Sequence, residues 1–179
     1  MKGRNMQRWR DPAKDPRREQ KTNLITPKGY DALQNERNFL WKIRHPELAQ
    51  KVKEAAAQGD RSENADYTYN KQLLNKTLSR IRYLDKRLEA LTIVEKKPDD
   101  LQRIFFSAHI ELEHEDGSLL QLQIVGPDEA DMKEGKLNID APMARALLGK
   151  ALDDEIKVQA PNGEQIYYVL DIHYDTSID

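Results

Sequence analysis

Cysteine is absent from the 179 residues. That excludes disulfides, thiolate metal sites and cysteine nucleophiles. No apolar run approaches the ~18 residues a membrane span needs, so no membrane partner is expected. The basic start, Met1 to Arg10, is followed by no apolar stretch, so no secretory signal is expected and the chain reads as cytoplasmic. Aromatic residues make up only 7%. Charged residues reach 34% against 38% hydrophobic, with a mean hydropathy of -0.86. That balance is too polar for one large core and suits long solvent-facing helix.

The net charge of -2 conceals a division. Residues 1–97 hold 23 Lys/Arg against 13 Asp/Glu, a surplus of +10, whereas residues 98–179 hold 6 against 18, a deficit of -12. Two modules with different partners are expected, the basic one suited to phosphates or an acidic surface. Residues 1–22 carry eight basic and three acidic side chains, with Pro12 and Pro16 interrupting any helix, and read as a mobile basic arm.

Thr26-Pro27 signals a helix start, threonine as N-cap and proline at the first helical position. Tyr30, Leu33, Leu40, Ile43, Leu48, Val52 and Ala55 then recur at helical spacing. Pro46 predicts a kink or break, and Gly59 a helix end. A second helix is predicted from about Arg61 to Val94, with Tyr67, Leu74, Leu78, Ile81, Leu84, Leu88 and Leu91 near heptad spacing. Two arms of ~30 residues, ~45 Å each at helical rise, joined by so short a connection must run antiparallel. The fold class is α+β: residues 23–97 form a helical hairpin and residues 98–179 a small antiparallel sheet module with one short helix at about Met143 to Leu148. Phe106, Ala108, Ile110 and Leu112 alternate, Asp116-Gly117 turns into Leu120, Leu122 and Ile124, and Asn162-Gly163 turns between Ile156–Ala160 and Gln165–Ile172.

Candidate chemistry lies between the helices, in Gly59-Asp60-Arg61-Ser62-Glu63-Asn64-Ala65-Asp66-Tyr67. Asp60 with Glu63 reads as a capping box at the positive end of a helix dipole. The same spacing brings two carboxylates within ~5–6 Å at Cβ, close enough to share a magnesium ion. Such a pair supplies only part of a six-oxygen shell, so another molecule would have to complete it. Spacing alone leaves both readings open. The four histidines show no zinc-like spacing, and Ser62 and Ser107 have no triad pattern.

That tip segment, together with Ile139-Asp140-Ala141-Pro142-Met143-Ala144-Arg145-Ala146-Leu147-Leu148 and Thr26-Pro27-Lys28-Gly29-Tyr30, resembles the bacterial Gre transcript cleavage factors over residues 22–175. Arg61-Ser62 is more similar to the GreB branch than to the GreA branch. The resemblance implies a transcription elongation factor, not an enzyme on its own, whose hairpin enters the secondary channel of RNA polymerase. Asp60 and Glu63 would there serve as catalytic residues, sharing a magnesium ion with the polymerase and stimulating its cleavage of backtracked nascent RNA. Asn64 and Tyr67 would support the tip, and Arg61, Lys71, Arg80 and Arg82 would face RNA. An FKBP-like C-terminal domain would grip a coiled coil at the channel rim through Asp140, Pro142 and Met143. No cofactor would bind stably to the free protein, which would be a monomer. Ala141 replaces a serine common in this branch, putting one docking hydrogen bond in question. The alternative is a channel-binding regulator that does not promote cleavage; a weaker one is a general nucleic-acid-binding coiled coil.

Overall fold

The computed structural model describes residues 21–59, 64–161 and 163–175. Strand β1 (Leu24–Ile25) leads into α1 (Pro27–Phe39), a π-helical turn (Leu40–Arg44) and α2 (His45–Ala57). Helix α3 (Ala65–Ala90) returns alongside them and ends in β2 (Thr92–Ile93). Thr26 caps α1 as its sequence predicts, its hydroxyl accepting from the Gly29 amide at 3.0 Å, with Pro27 next. The helices are antiparallel. Asn64 meets Ala55 at one end, while Arg80 meets Glu36 and Arg37 meets Asp85 toward the other. Leu24 and Ile25 pair in parallel with Thr92 and Ile93, tying the two ends of the helical module together.

Pro46 breaks nothing; the helix absorbs it through the π turn. The His45 amide donates to the Leu40 carbonyl, five residues back, and α2 restarts with Pro46 in its first turn. A proline there has no amide to satisfy and avoids the clash it would make mid-helix. The extra residue also rephases the apolar stripe. Leu40 to Leu48 is a heptad plus one, and Leu48 to Ala55 a heptad again. Ile43, expected on the buried stripe, is therefore turned outward and is 57% exposed, with Phe39 and Trp41 also exposed. The buried cluster of this module is small, Ile25, Leu33 and Leu84 with Tyr30, Leu40, Leu88 and Leu91 against them, and Leu48, Ala55 and Ile81 are buried outside it.

The second module is a five-stranded sheet in the order β5-β4-β3-β7-β6. Its strands are β3 (His109–His114), β4 (Leu119–Val125), β5 (Lys136–Asn138), β6 (Glu155–Ala160) and β7 (Gly163–His173), with α4 (Pro142–Leu147) before β6. The sheet is mixed rather than purely antiparallel, because β5 runs parallel to β4. Three residues carrying one apolar side chain, Leu137, give too little alternation to announce such a strand. Ala160 pairs with Gly163, so Gly163 belongs to the strand pairing and not to the turn it was predicted to form with Asn162, which lies outside the described residues. Ala108, Ile110, Leu112, Leu122, Ile124, Ile156 and Val169 form the core with Ala144 and Leu147 of α4. The predicted alternation is thus the inward face of the sheet.

The Asp116-Gly117 turn carries a charged lock. The Ser118 amide donates to Asp116 Oδ1 at 2.8 Å, and His114 Nδ1 lies 2.9 Å from the same oxygen. Hydrogen bonds from Ser118 and then His114 hold the Asp116 carboxyl down at about 2. Its folded value lies below the unfolded one, so its stabilising contribution is present above pH ~3.8. It should fade as pH falls through about 2. A carbon-13 titration should place the Asp116 midpoint near about 2, and an ordinary midpoint would show that the lock does not form.

Candidate functional site at the far end of the helical arm

The helix cap that the sequence offers to Asp60 falls instead to Asn64. Helix α3 starts at Ala65, and Asn64 Oδ1 accepts from the Tyr67 amide at 3.0 Å. Asn64 Nδ2 also donates to the Ala55 carbonyl of α2 at 2.7 Å. One amide side chain thus satisfies a free donor of α3 and adds a second hydrogen bond to the Ala55 carbonyl, which also accepts from the Gln58 amide; an ionised acid cap could not donate the second bond. Asp60, Arg61, Ser62 and Glu63 lie outside the described residues, between Gly59 and Asn64.

Asn64→Ala should cost about 1–2 kcal/mol and speed hydrogen exchange at the Tyr67 amide. Asn64→Asp keeps the acceptor and loses the donor, so it should recover part of that stability. Equal protection of Tyr67 in all three proteins would contradict the double role.

Tyr67 is partly buried one turn into α3, with the Lys71 ammonium 5.4 Å from its ring centroid. Arg80 is engaged with Glu36 through two bonds of 2.8 Å, and these hydrogen bonds raise its pKa further, against the opposing effect of partial burial. Arg82 donates to the Leu78 carbonyl at 3.3 Å. Lys71 and Arg82 are solvent-exposed.

In the sheet module, Pro142 is exposed and Met143 packs partly against the core. Asp140 accepts from the Thr22 amide at 3.0 Å and from the Thr22 hydroxyl. Ala141 is the N-cap of α4 and supplies no side-chain acceptor, so the hydrogen bond a serine would offer is missing there.

Sequence spacing missed one grouping. Register pairs His109 with His173, and their rings stack with centroids 5.0 Å apart beside Glu111 and Asp171. Strand pairing alone brings these distant positions together. Among the described residues no three His, Cys, Asp or Glu side chains are placed to hold a metal ion. No described helix is long and apolar enough to cross a membrane.

An exposed helical arm seated on a small mixed sheet, with its candidate chemistry in the connection at its far end, defines a two-module factor. Residues 97–174 match the family described as "Transcription elongation factor, GreA/GreB, C-term", and residues 23–93 match "Transcription elongation factor, N-terminal". The chain belongs to the GreA/GreB family of transcription elongation factors. It is 47% identical over 169 residues to transcription elongation factor GreB of Pseudomonas aeruginosa, covering 94% of this chain and 98% of the relative. It is 50% identical over 156 residues to GreB of Haemophilus ducreyi, covering 87% and 96%. The crystal structure of GreA factor homolog 1 of Thermus thermophilus is 25% identical, with a TM-score of 0.39 over 84% of this chain and 97% of that one.

Proposed function

We propose that the protein binds RNA polymerase, inserts the far end of its arm into the secondary channel and stimulates cleavage of backtracked nascent RNA. The carrying observation is that Asn64, not Asp60, caps α3. Helix capping therefore no longer accounts for Asp60 and Glu63, and the metal-sharing reading of that pair gains weight. Their donor set fits magnesium: two hard carboxylates, with the remaining oxygens left to phosphate, water and the polymerase. Magnesium would supply a polarised water and charge stabilisation at the phosphodiester. Asp60 and Glu63 would hold and orient it; Asn64 and Tyr67 would steady the end of the arm; Arg61, Lys71 and Arg82 would attract RNA phosphates. Arg80, paired with Glu36, would contribute mainly by stiffening the arm.

On this reading residues 23–97 form a coiled-coil hairpin domain and residues 98–179 an FKBP-like docking domain, preceded by the basic arm of residues 1–22. Pro142 and Met143 would meet the coiled coil at the channel rim, with Asp140 shaping the loop while bonded to Thr22. The protein would act as a cytoplasmic monomer with no nuclease activity of its own. The test is a stalled, backtracked elongation complex in magnesium. Addition of the protein should release short 3′ RNA fragments and restore elongation. Binding with inhibited initiation and no release would instead establish a channel-binding regulator.

A further inference from the structure

The two modules meet through loops that leave almost no free space. Asp128, in the loop after β4, has a side chain 3% exposed and lies 2.7 Å from Arg87 Nε of α3, itself 13% exposed. Arg87 also donates to Asn23 Oδ1 at 2.6 Å and the Thr22 carbonyl at 2.7 Å, gathering β1, α3 and the sheet module around one guanidinium. The Tyr83 hydroxyl donates to the other Asp128 oxygen. Burial first, then that bond, raises the Tyr83 pKa, keeping it a donor. Next to Asp128, Glu129 accepts from the Thr26 amide at 2.9 Å, the Thr26 hydroxyl at 2.6 Å and the Gly126 amide at 3.1 Å. A Cβ at Gly29 would come within 1.9 Å of Glu129 Oε2, and one at Gly126 within 2.0 Å of the Leu24 carbonyl oxygen. The second of these is backbone and cannot give way.

We propose that Asp128 is a positioning residue: through Arg87 and Tyr83 it fixes the angle of the helical arm on the sheet module. Asn64 stands 23 residues from Arg87 along α3, roughly 35 Å at helical rise. A tilt of about 2° at the base then moves the far end by ~1 Å, a displacement that can cost ~100-fold in a positioned reaction. Exposed ion pairs along the arm are too weak to hold such an angle. A desolvated carboxylate at its root can, with one oxygen bonded to Arg87 and the other to Tyr83. The kinetic consequence rests on the proposed cleavage function; the mechanical one does not.

Because the chain lacks cysteine, Lys53→Cys and Gln159→Cys allow one spin label on each module of the full-length protein. Wild type should give one narrow inter-label distance distribution, and Asp128→Asn one at least about twice as broad. In the backtracked-complex assay Asp128→Asn should lower the rate at saturating factor about 10–100-fold, with the half-saturating concentration unchanged. Simple loss of folded protein would do the reverse, raising that concentration and sparing the saturated rate. An unchanged distance distribution overturns the proposal, as does a broadened one with an unaltered saturated rate. Should Asp128→Asn lose cooperative thermal unfolding, Tyr83→Phe, which removes one hydroxyl, is judged by the same two measurements. If wild type itself releases no RNA, the cleavage function fails and the distance distributions alone decide whether Asp128 sets the angle.

Discussion

Replacing Asp60 by Asn or Glu63 by Gln is expected to abolish release of short RNA fragments from a backtracked complex, a loss of roughly a hundredfold or more, while polymerase binding persists. Each change is nearly isosteric and removes one negative charge. A neutral amide oxygen is a poorer ligand for a hard dication than a carboxylate, and a site sharing two protein ligands has none to spare. The capping of α3 makes this test cleaner than the sequence suggests. Had Asp60 been the N-cap, its replacement would have tangled catalysis with helix stability. With Asn64 in that role, both variants should unfold within ~0.5 kcal/mol of wild type. Undiminished cleavage by both would end the metal-sharing mechanism.

Leu84→Ala should produce the largest loss of stability in the helical module, about 2–5 kcal/mol. Leu84 is fully buried and packs with Ile25 and Leu33, the other two buried residues of that cluster. Removing its side chain opens a cavity where strand β1, α1 and α3 converge. So few neighbours leave little apolar material to collapse into the gap. The sheet core, with eleven buried residues, should be untouched at the contacts it makes for itself. Ile43→Ala provides the contrast. The heptad-like stripe makes it a core residue, but at 57% exposure it should change stability by only ~0.5 kcal/mol or less. Urea denaturation of both variants distinguishes the two phasings; equal losses would mean that the π turn does not set the register in solution.

The helical stripes, the Thr26-Pro27 start and the strand alternation through Ala108, Ile110 and Leu112 were legible because each repeats a local period set by backbone geometry. Three features misled or escaped that reading. Asp60 matched the N-cap pattern, but Asn64 matches it too, and its amide also donates to the Ala55 carbonyl across the arms, a bond an ionised carboxylate has no proton to make. Ile43 fell on the stripe because the interruption was placed at Pro46, whereas the π turn inserts its extra residue before it, over Leu40–Arg44. β5 and the parallel pair of β1 with β2 are too short for any periodicity.

The sequence by itself determined a charged antiparallel helical module, a small sheet module, their opposite charge and the acidic pair between the helices. These follow from residue type and short-range spacing, which act within a few turns or strands. Tertiary structure alone decided which residue caps α3, which way the stripe turns after Leu40, and how the modules are joined. Those outcomes depend on partners distant in sequence, Ala55 for Asn64 and Asp128 for Arg87. Desolvated hydrogen bonds and close packing choose such partners by distance and angle, quantities that sequence spacing does not carry.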